Sequence, residues 1–145
     1  MNAVGIDVDR SGRIWLSTGD SFYHINPART YHLLAAYLHS NEIDCVCIED
    51  KELWDREFKS KNGKMCGTLS IILHYLRHNN ILVIPVNPAY TSQTCNSCKI
   101  RDKNSRRSKT LFQCVSCGKR THADINAAKN ILERGLRKTE QKSQV

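Results

Sequence analysis

Seven side chains in this sequence have the types and spacing for metal chemistry. Four are cysteines in two Cys-x-x-Cys pairs, Cys95/Cys98 and Cys114/Cys117, with fifteen residues between the pairs. Each pair offers two thiolates from one tight turn, so two such knuckles close a tetrahedral zinc site with no open position. A closed four-thiolate site is structural, and it leaves any chemistry to its neighbours. The alternative for a Cys-x-x-Cys pair is a redox motif. The other three side chains are the carboxylates of Asp7, Glu49 and Asp124. Taken singly, Asp7 and Glu49 read as strand-end residues facing water and Asp124 as a helix N-cap. Taken together they form an oxygen-rich donor set suited to Mg²⁺ or Mn²⁺, and two such ions about 4 Å apart activate a water and stabilise the leaving oxygen of a phosphodiester.

The elements that carry the carboxylates decide whether they meet. "AVGIDVD", "RIWLSTG" and "SFYHIN" predict three short strands in an antiparallel meander, with turns at Ser11-Gly12 and Gly19-Asp20. Asn26 caps a helix that starts at Pro27 and shows Tyr31, Leu34, Ala35 and Leu38 on one face. "DCVCIED", residues 44–50, is a near-continuous apolar run, as a strand buried on both faces requires. A polar loop over 51–64 follows, then a second helix with Leu69, Ile72, Leu73 and Leu76 on one face, then a buried strand "ILVIPV" at 81–86. The last helix starts near Asp124 and presents Ile125, Ala128, Leu132 and Leu136. The order βββαβαβ, cysteine module, α predicts an α/β fold of the ribonuclease-H-like kind, a mixed sheet with helices on both faces. In that fold the first and fourth strands are neighbours and the last helix starts beside their ends, which brings Asp7, Glu49 and Asp124 together. The expected organisation is a nuclease domain over 1–90 and 121–138, an inserted zinc ribbon over 91–120, and a disordered tail over 139–145.

Charge is segregated. Residues 1–98 carry 9 Lys/Arg against 10 Asp/Glu, and residues 99–145 carry 13 against 4. Arg101, Lys103, Arg106, Arg107 and Lys109 crowd the insert between the two knuckles, the pattern of a phosphate-binding surface, against the plainer reading of a solvated basic loop. With 145 residues the chain suffices for one main core and a small metal module. The start "MNAVGIDVDR" lacks the h-region of a signal peptide, and no apolar run reaches the roughly 20 residues of a membrane span. Seven cysteines, an odd number, favour thiolates in a reducing compartment over disulfides, so a cytoplasmic location with no membrane partner is expected, with Cys45, Cys47 and Cys66 as small buried apolar residues.

"GIDVD", "VCIED", "VNPAYTSQTCNSC", "FQCVSCG" and "HADINAAKNIL" resemble, in this order, motifs of the RuvC-like nuclease domain with inserted zinc ribbon found in transposon-encoded TnpB proteins and type V CRISPR effectors. The resemblance covers nearly the whole chain. It implies a metal-dependent DNA endonuclease with Asp7, Glu49 and Asp124 as catalytic Mg²⁺ or Mn²⁺ ligands and Cys95, Cys98, Cys114 and Cys117 as zinc ligands. Where many members carry Asp-Arg-Asp before the last helix, this chain has His122-Ala123-Asp124. Met1 lies six residues before Asp7, where the family's proteins carry a guide-binding lobe, so the expectation is a chain without that lobe for which guide RNA is a doubtful partner, working alone or with a separately encoded partner; the expected partner is DNA, with branched and single-stranded forms among the candidates. Two alternatives stand beside this reading: a Holliday-junction resolvase acting as a homodimer, and a non-catalytic zinc-ribbon adaptor.

Overall fold

The first strand, β1 (Ala3–Val8), alternates Val4 and Ile6 on one face with Ala3, Gly5 and Asp7 on the other, so its two sides pack against different partners. The computed structural model describes residues 1–9, 11–49 and 74–143. β2 (Ile14–Leu16) and β3 (Ser21–Phe22) complete the expected meander, shorter than the sequence suggested. Helix α1 (Pro27–Ser40) follows, with the Asn26 side chain accepting from the Ala28 amide and Pro27 at the first helical position. β4 (Cys45–Glu49) runs parallel to β1, and helical residues 74–78, called α2, lead to β5 (Leu82–Val86), parallel to β4. The sheet order is β3-β2-β1-β4-β5. The mixed α/β architecture expected from the sequence is therefore present.

One face of the sheet, with Val4, Ile6, Ile14, Leu16, Val46 and Ile48, is covered by Tyr31, Leu34 and Leu38 of α1 and by Leu76 of α2. The expected loop over 51–64, and Leu69, Ile72 and Leu73 of the second helix, lie outside the described residues, as does Cys66. The opposite face, with Cys45, Cys47, Ile84 and Val86, is covered by the last helix, α3 (Ala123–Ser143). The fourth strand is buried on both faces as expected, and Cys45 and Cys47 are packing residues. The fifth is not: β5 is the edge strand and Leu82 is 51% exposed, a position where Pro85, which has no N–H to donate, is tolerated.

α3 lies close on the sheet because two positions lack side chains. A Cβ at Gly5 would meet the Ala128 carbonyl oxygen, and one at Gly135 would meet the Cys47 sulfur. The buried stripe of α3 is thus Ala127, Ala128, Ile131 and Gly135, shifted from the predicted Ile125, Ala128, Leu132 and Leu136, because the seat on the sheet selects small residues. The helix continues to Ser143, through residues expected to be a disordered tail. No helix among the described residues is long and apolar enough to cross a membrane.

The cysteine module lies between β5 and α3. Its small sheet pairs β6 (Leu111–Gln113) with β7 (Arg120–His122), and Phe112, fully buried, forms its core with Cys95, Cys114 and Ala123. β7 passes directly into α3, so the module ends two residues beyond the expected boundary at 120.

Candidate functional site

β1 and β4 pair in parallel as far as Ile6↔Ile48, so Asp7 and Glu49 stand one residue further on, on the face that carries Gly5, Cys47 and α3. Asp124 is the second residue of that helix. The close seat of α3 on Gly5 carries Asp124 to the strand ends, where Asp124 and Glu49 both act on the Asp7 carboxyl. Asp7 and Asp124 are each 8% exposed. Burial first, then the contact with Asp124 and the charge of Glu49, push the Asp7 carboxyl up to about 9. An acid kept neutral against two others is a site organised around negative charge, and hard-cation coordination is the chemistry that relieves it. In this structure the three carboxylates do not gather as tightly as a ready-made ion site, and the raised Asp7 carboxyl records their mutual influence. Asp124 is not the helix cap the sequence allowed; that place belongs to His122, whose Nδ1 accepts the Asp124 amide at 3.1 Å.

The four module cysteines are a tighter group. Their sulfurs lie within 4.8 Å of one another, the one such cluster of three or more ligand side chains among the described residues. Sγ–Sγ distances of 3.7 Å for Cys95/Cys117 and 3.5 Å for Cys98/Cys114 are close to the ~3.8 Å that a tetrahedron of Zn–S bonds near 2.3 Å demands. The two knuckles are built alike. The Lys99 amide donates to the Cys95 carbonyl and the Gly118 amide to the Cys114 carbonyl, with Lys99 and Gly118 both in the left-handed region. The amides of Cys117 and Ser116 point at the Cys114 sulfur and draw its thiol down to about 6, which favours the thiolate that a metal needs. The cluster fits zinc.

Sequence reasoning missed the residues that hold the module in place. Asn126 and Asn130, one turn apart on α3 and both buried, reach across to it. Asn126 donates to the Thr94 carbonyl and accepts from the Asn96 amide; Asn130 donates to the Thr91 and Thr94 carbonyls. Lys99 pairs with Glu133 at 2.6 Å on the same side. The available signal was two asparagines four apart in an otherwise apolar helical stretch, where polar residues need partners.

Four of the five candidate phosphate-binding side chains are exposed: Arg101, Lys103, Arg107 and Lys109. Arg106 is half-buried and is spent on its own turn, donating to the Ser108 and Lys109 carbonyls. Arg101 stacks on Tyr90, 3.0 Å from the ring centroid. The insert adjoins the carboxylates, because the Thr110 carbonyl accepts the Ala123 amide at the start of α3.

A mixed sheet flanked by helices, with three carboxylates at its strand ends and a docked four-cysteine module, is the architecture of this chain, and comparison with known proteins gives it relatives. Residues 67–131 match the family model described as Cas12f1-like, TNB domain. A TnpB-like protein of Acanthamoeba polyphaga mimivirus is 43% identical over 138 residues, covering 84% of this chain and 26% of that protein. The CRISPR-associated endodeoxyribonuclease Cas12f1 of Sulfoacidibacillus thermotolerans is 40% identical over 60 residues, 41% of this chain and 14% of the relative. Among solved structures, CasPhi-2 (Cas12j) bound to crRNA and phosphorothioate-DNA matches with a TM-score of 0.58 at 25% identity, over 76% of this chain and 18% of that one. A Cas12f1-sgRNA-target DNA complex shares the fold, with a TM-score of 0.56 at 24% identity over 73% of this chain and 32% of that one. The chain is thus similar to TnpB-like proteins and Cas12 effectors, as its motifs indicated, and spans 26% or less of these two curated relatives. Both solved neighbours are complexes with RNA and DNA, so the doubt about guide RNA gains no support from them, and neither does the homodimer.

Proposed function

We propose that the chain is a ribonuclease-H-like (RuvC-like) nuclease core with an inserted zinc ribbon, which hydrolyses phosphodiester bonds of DNA. The observation that carries this reading is the placing of Asp7, Glu49 and Asp124 at one end of the sheet, with Asp7 and Asp124 both buried there. These three carboxylates would hold Mg²⁺ or Mn²⁺, and in the two-metal scheme the bound ions supply an activated water and charge neutralisation at the leaving oxygen. β1, β4 and α3 hold the carboxylates in place before DNA arrives, and burial limits competition from water. Cys95, Cys98, Cys114 and Cys117 take a structural zinc, and the exposed cations of the insert seat phosphates beside the cluster. A thiolate cluster implies a reducing, cytoplasmic setting. The relatives named as endodeoxyribonucleases support DNA as the substrate, and the RNA-bound neighbours support a guide strand as a partner.

The test is cleavage of single-stranded, duplex and four-way-junction DNA, with and without Mg²⁺ and the RNA that copurifies. Asp7→Ala, Glu49→Ala and Asp124→Ala should each lose cleavage by at least about 10³-fold while DNA affinity stays within about threefold, because metal ligation serves the chemical step. Parental rates in all three variants would overturn the assignment.

A further inference from the structure

The residue that caps α3 beside Asp124 is an unusual choice for a helix start. His122 is the last residue of β7, where it pairs with Leu111, and also the residue from which α3 starts. The first amides of a helix have no partner within it. Here the Ala123 amide is taken by the Thr110 carbonyl at 2.8 Å and the Asp124 amide by His122 Nδ1 at 3.1 Å. Since Nδ1 accepts a hydrogen bond, the ring proton lies on Nε2. The 3.9 Å separation of Nδ1 from the Asp124 carboxylate oxygen is therefore an approach of two acceptors, and Asp124 takes its position from His122, not a counter-charge.

The imidazole is itself held. It stacks on Trp15 with ring centroids 3.9 Å apart and planes 24° from parallel. Trp15 lies opposite Asp7 in the β1–β2 register. Its indole Nε1 donates to Asp9 at 3.0 Å, and Asp9 is fixed in turn by the Ser11 and Arg13 amides at 2.9 and 3.1 Å and by the Ser11 hydroxyl. A serine or asparagine at position 122 would cap the helix equally well. Neither would reach Trp15 with a flat ring. Sheet, cysteine module and α3 are thus pinned at one side chain, next to a proposed metal ligand.

We propose that His122, clamped by Trp15, is a positioning residue that fixes Asp124 for the reaction. It does not touch the reacting atoms and acts through the main chain of Asp124. This inference rests on the nuclease reading above, and its test separates the two. His122→Ala, His122→Asn, Trp15→Ala and Trp15→Phe are compared by steady-state DNA cleavage and by hydrogen exchange of the Asp124 amide, which needs neither metal nor substrate. His122→Ala should lower kcat by roughly 10- to 100-fold with KM within about twofold, the signature of a misplaced group. It should also speed exchange at Asp124. His122→Asn, which keeps an acceptor for that amide, should restore most of the protection and part of kcat, and Trp15→Phe should exceed Trp15→Ala on both measures. Should His122→Ala fail to fold, the Asn and Trp15 variants decide the matter. Parental kcat and parental Asp124 protection in both His122→Ala and Trp15→Ala, or in Trp15→Ala alone if His122→Ala does not fold, would overturn the clamp. If the parent cuts no DNA yet Asp124 protection follows His122 and Trp15, the clamp stands and the nuclease reading falls.

Discussion

Asp7 is the residue whose ionisation would link folding to uptake of a divalent cation. Its carboxyl is raised from an ordinary 3.8 to about 9, burial being the largest cause. Between about pH 4 and 9 the folded chain therefore keeps a proton that the unfolded chain has released, so the folded state binds more protons and stability falls as pH rises through that window. The loss is complete above about 9. A divalent cation bound at Asp7 must displace that proton, so cation binding releases H⁺ and strengthens toward high pH. In metal-free protein the thermal midpoint should fall more steeply between pH 5 and 9 for the parent than for Asp7→Asn, whose neutral amide cannot titrate. Stabilisation by Mn²⁺ should be larger at pH 8 than at pH 6 in the parent and absent in Asp7→Asn. Identical pH slopes in the two proteins would show that the carboxyl is not held neutral.

The last helix places the site, and its seat on the sheet depends on two glycines. A Cβ at Gly5 would collide with the Ala128 carbonyl oxygen and stand 2.8 Å from the Leu132 amide nitrogen, both main-chain atoms that cannot rotate away. Gly5→Ala must push α3 off the sheet, which should cost about 1–3 kcal/mol in a denaturant melt and separate Asp124 from Asp7. A melt equal to the parent's would mean that the helix has room to spare. Gly5 also shows where sequence legibility ended. The alternation of Val4 and Ile6 with Gly5 and Asp7 was readable, as were the N-cap of α1 and the apolar run of β4, because local periodicity and turn chemistry encode them. The stripe of α3 was misread because periodicity counts apolar side chains, whereas this seat is made by their absence at Gly5 and Gly135. Asn126 and Asn130 escaped for a related reason: their partners, the Thr91 and Thr94 carbonyls, lie more than thirty residues away, and a long-range hydrogen bond leaves no periodic trace. The strand ends of Asp7 and Glu49 and the helix start at Asp124 were legible from the order of the elements, not from any local pattern.

On the scale of the whole molecule, charge and geometry converge on one end. The chain carries a net +8, and the excess lies beyond residue 98. Part of that excess lies in the insert, which closes onto the start of α3 through the Thr110 carbonyl and the Ala123 amide, one residue from Asp124. On the proposed reading, cations of the insert would hold a phosphate backbone beside carboxylates that by themselves would repel it. Arg106 is a poor probe of this idea because its guanidinium braces the Ser108–Lys109 turn, so its loss would disturb the loop. Arg107 and Lys109 are exposed, and among the described residues neither side chain has a hydrogen bond or ion pair. Neutralising both to alanine should weaken binding to unrelated DNA sequences alike. The dependence of log K on log salt should flatten by up to about two units, near one for each phosphate no longer neutralised. Since the carboxylates remain assembled, saturating DNA should return most of the cleavage rate, so the defect appears in KM with kcat nearly intact. A double variant with parental affinity and an unchanged salt slope would assign the insert to bracing the fold and leave DNA binding to another surface.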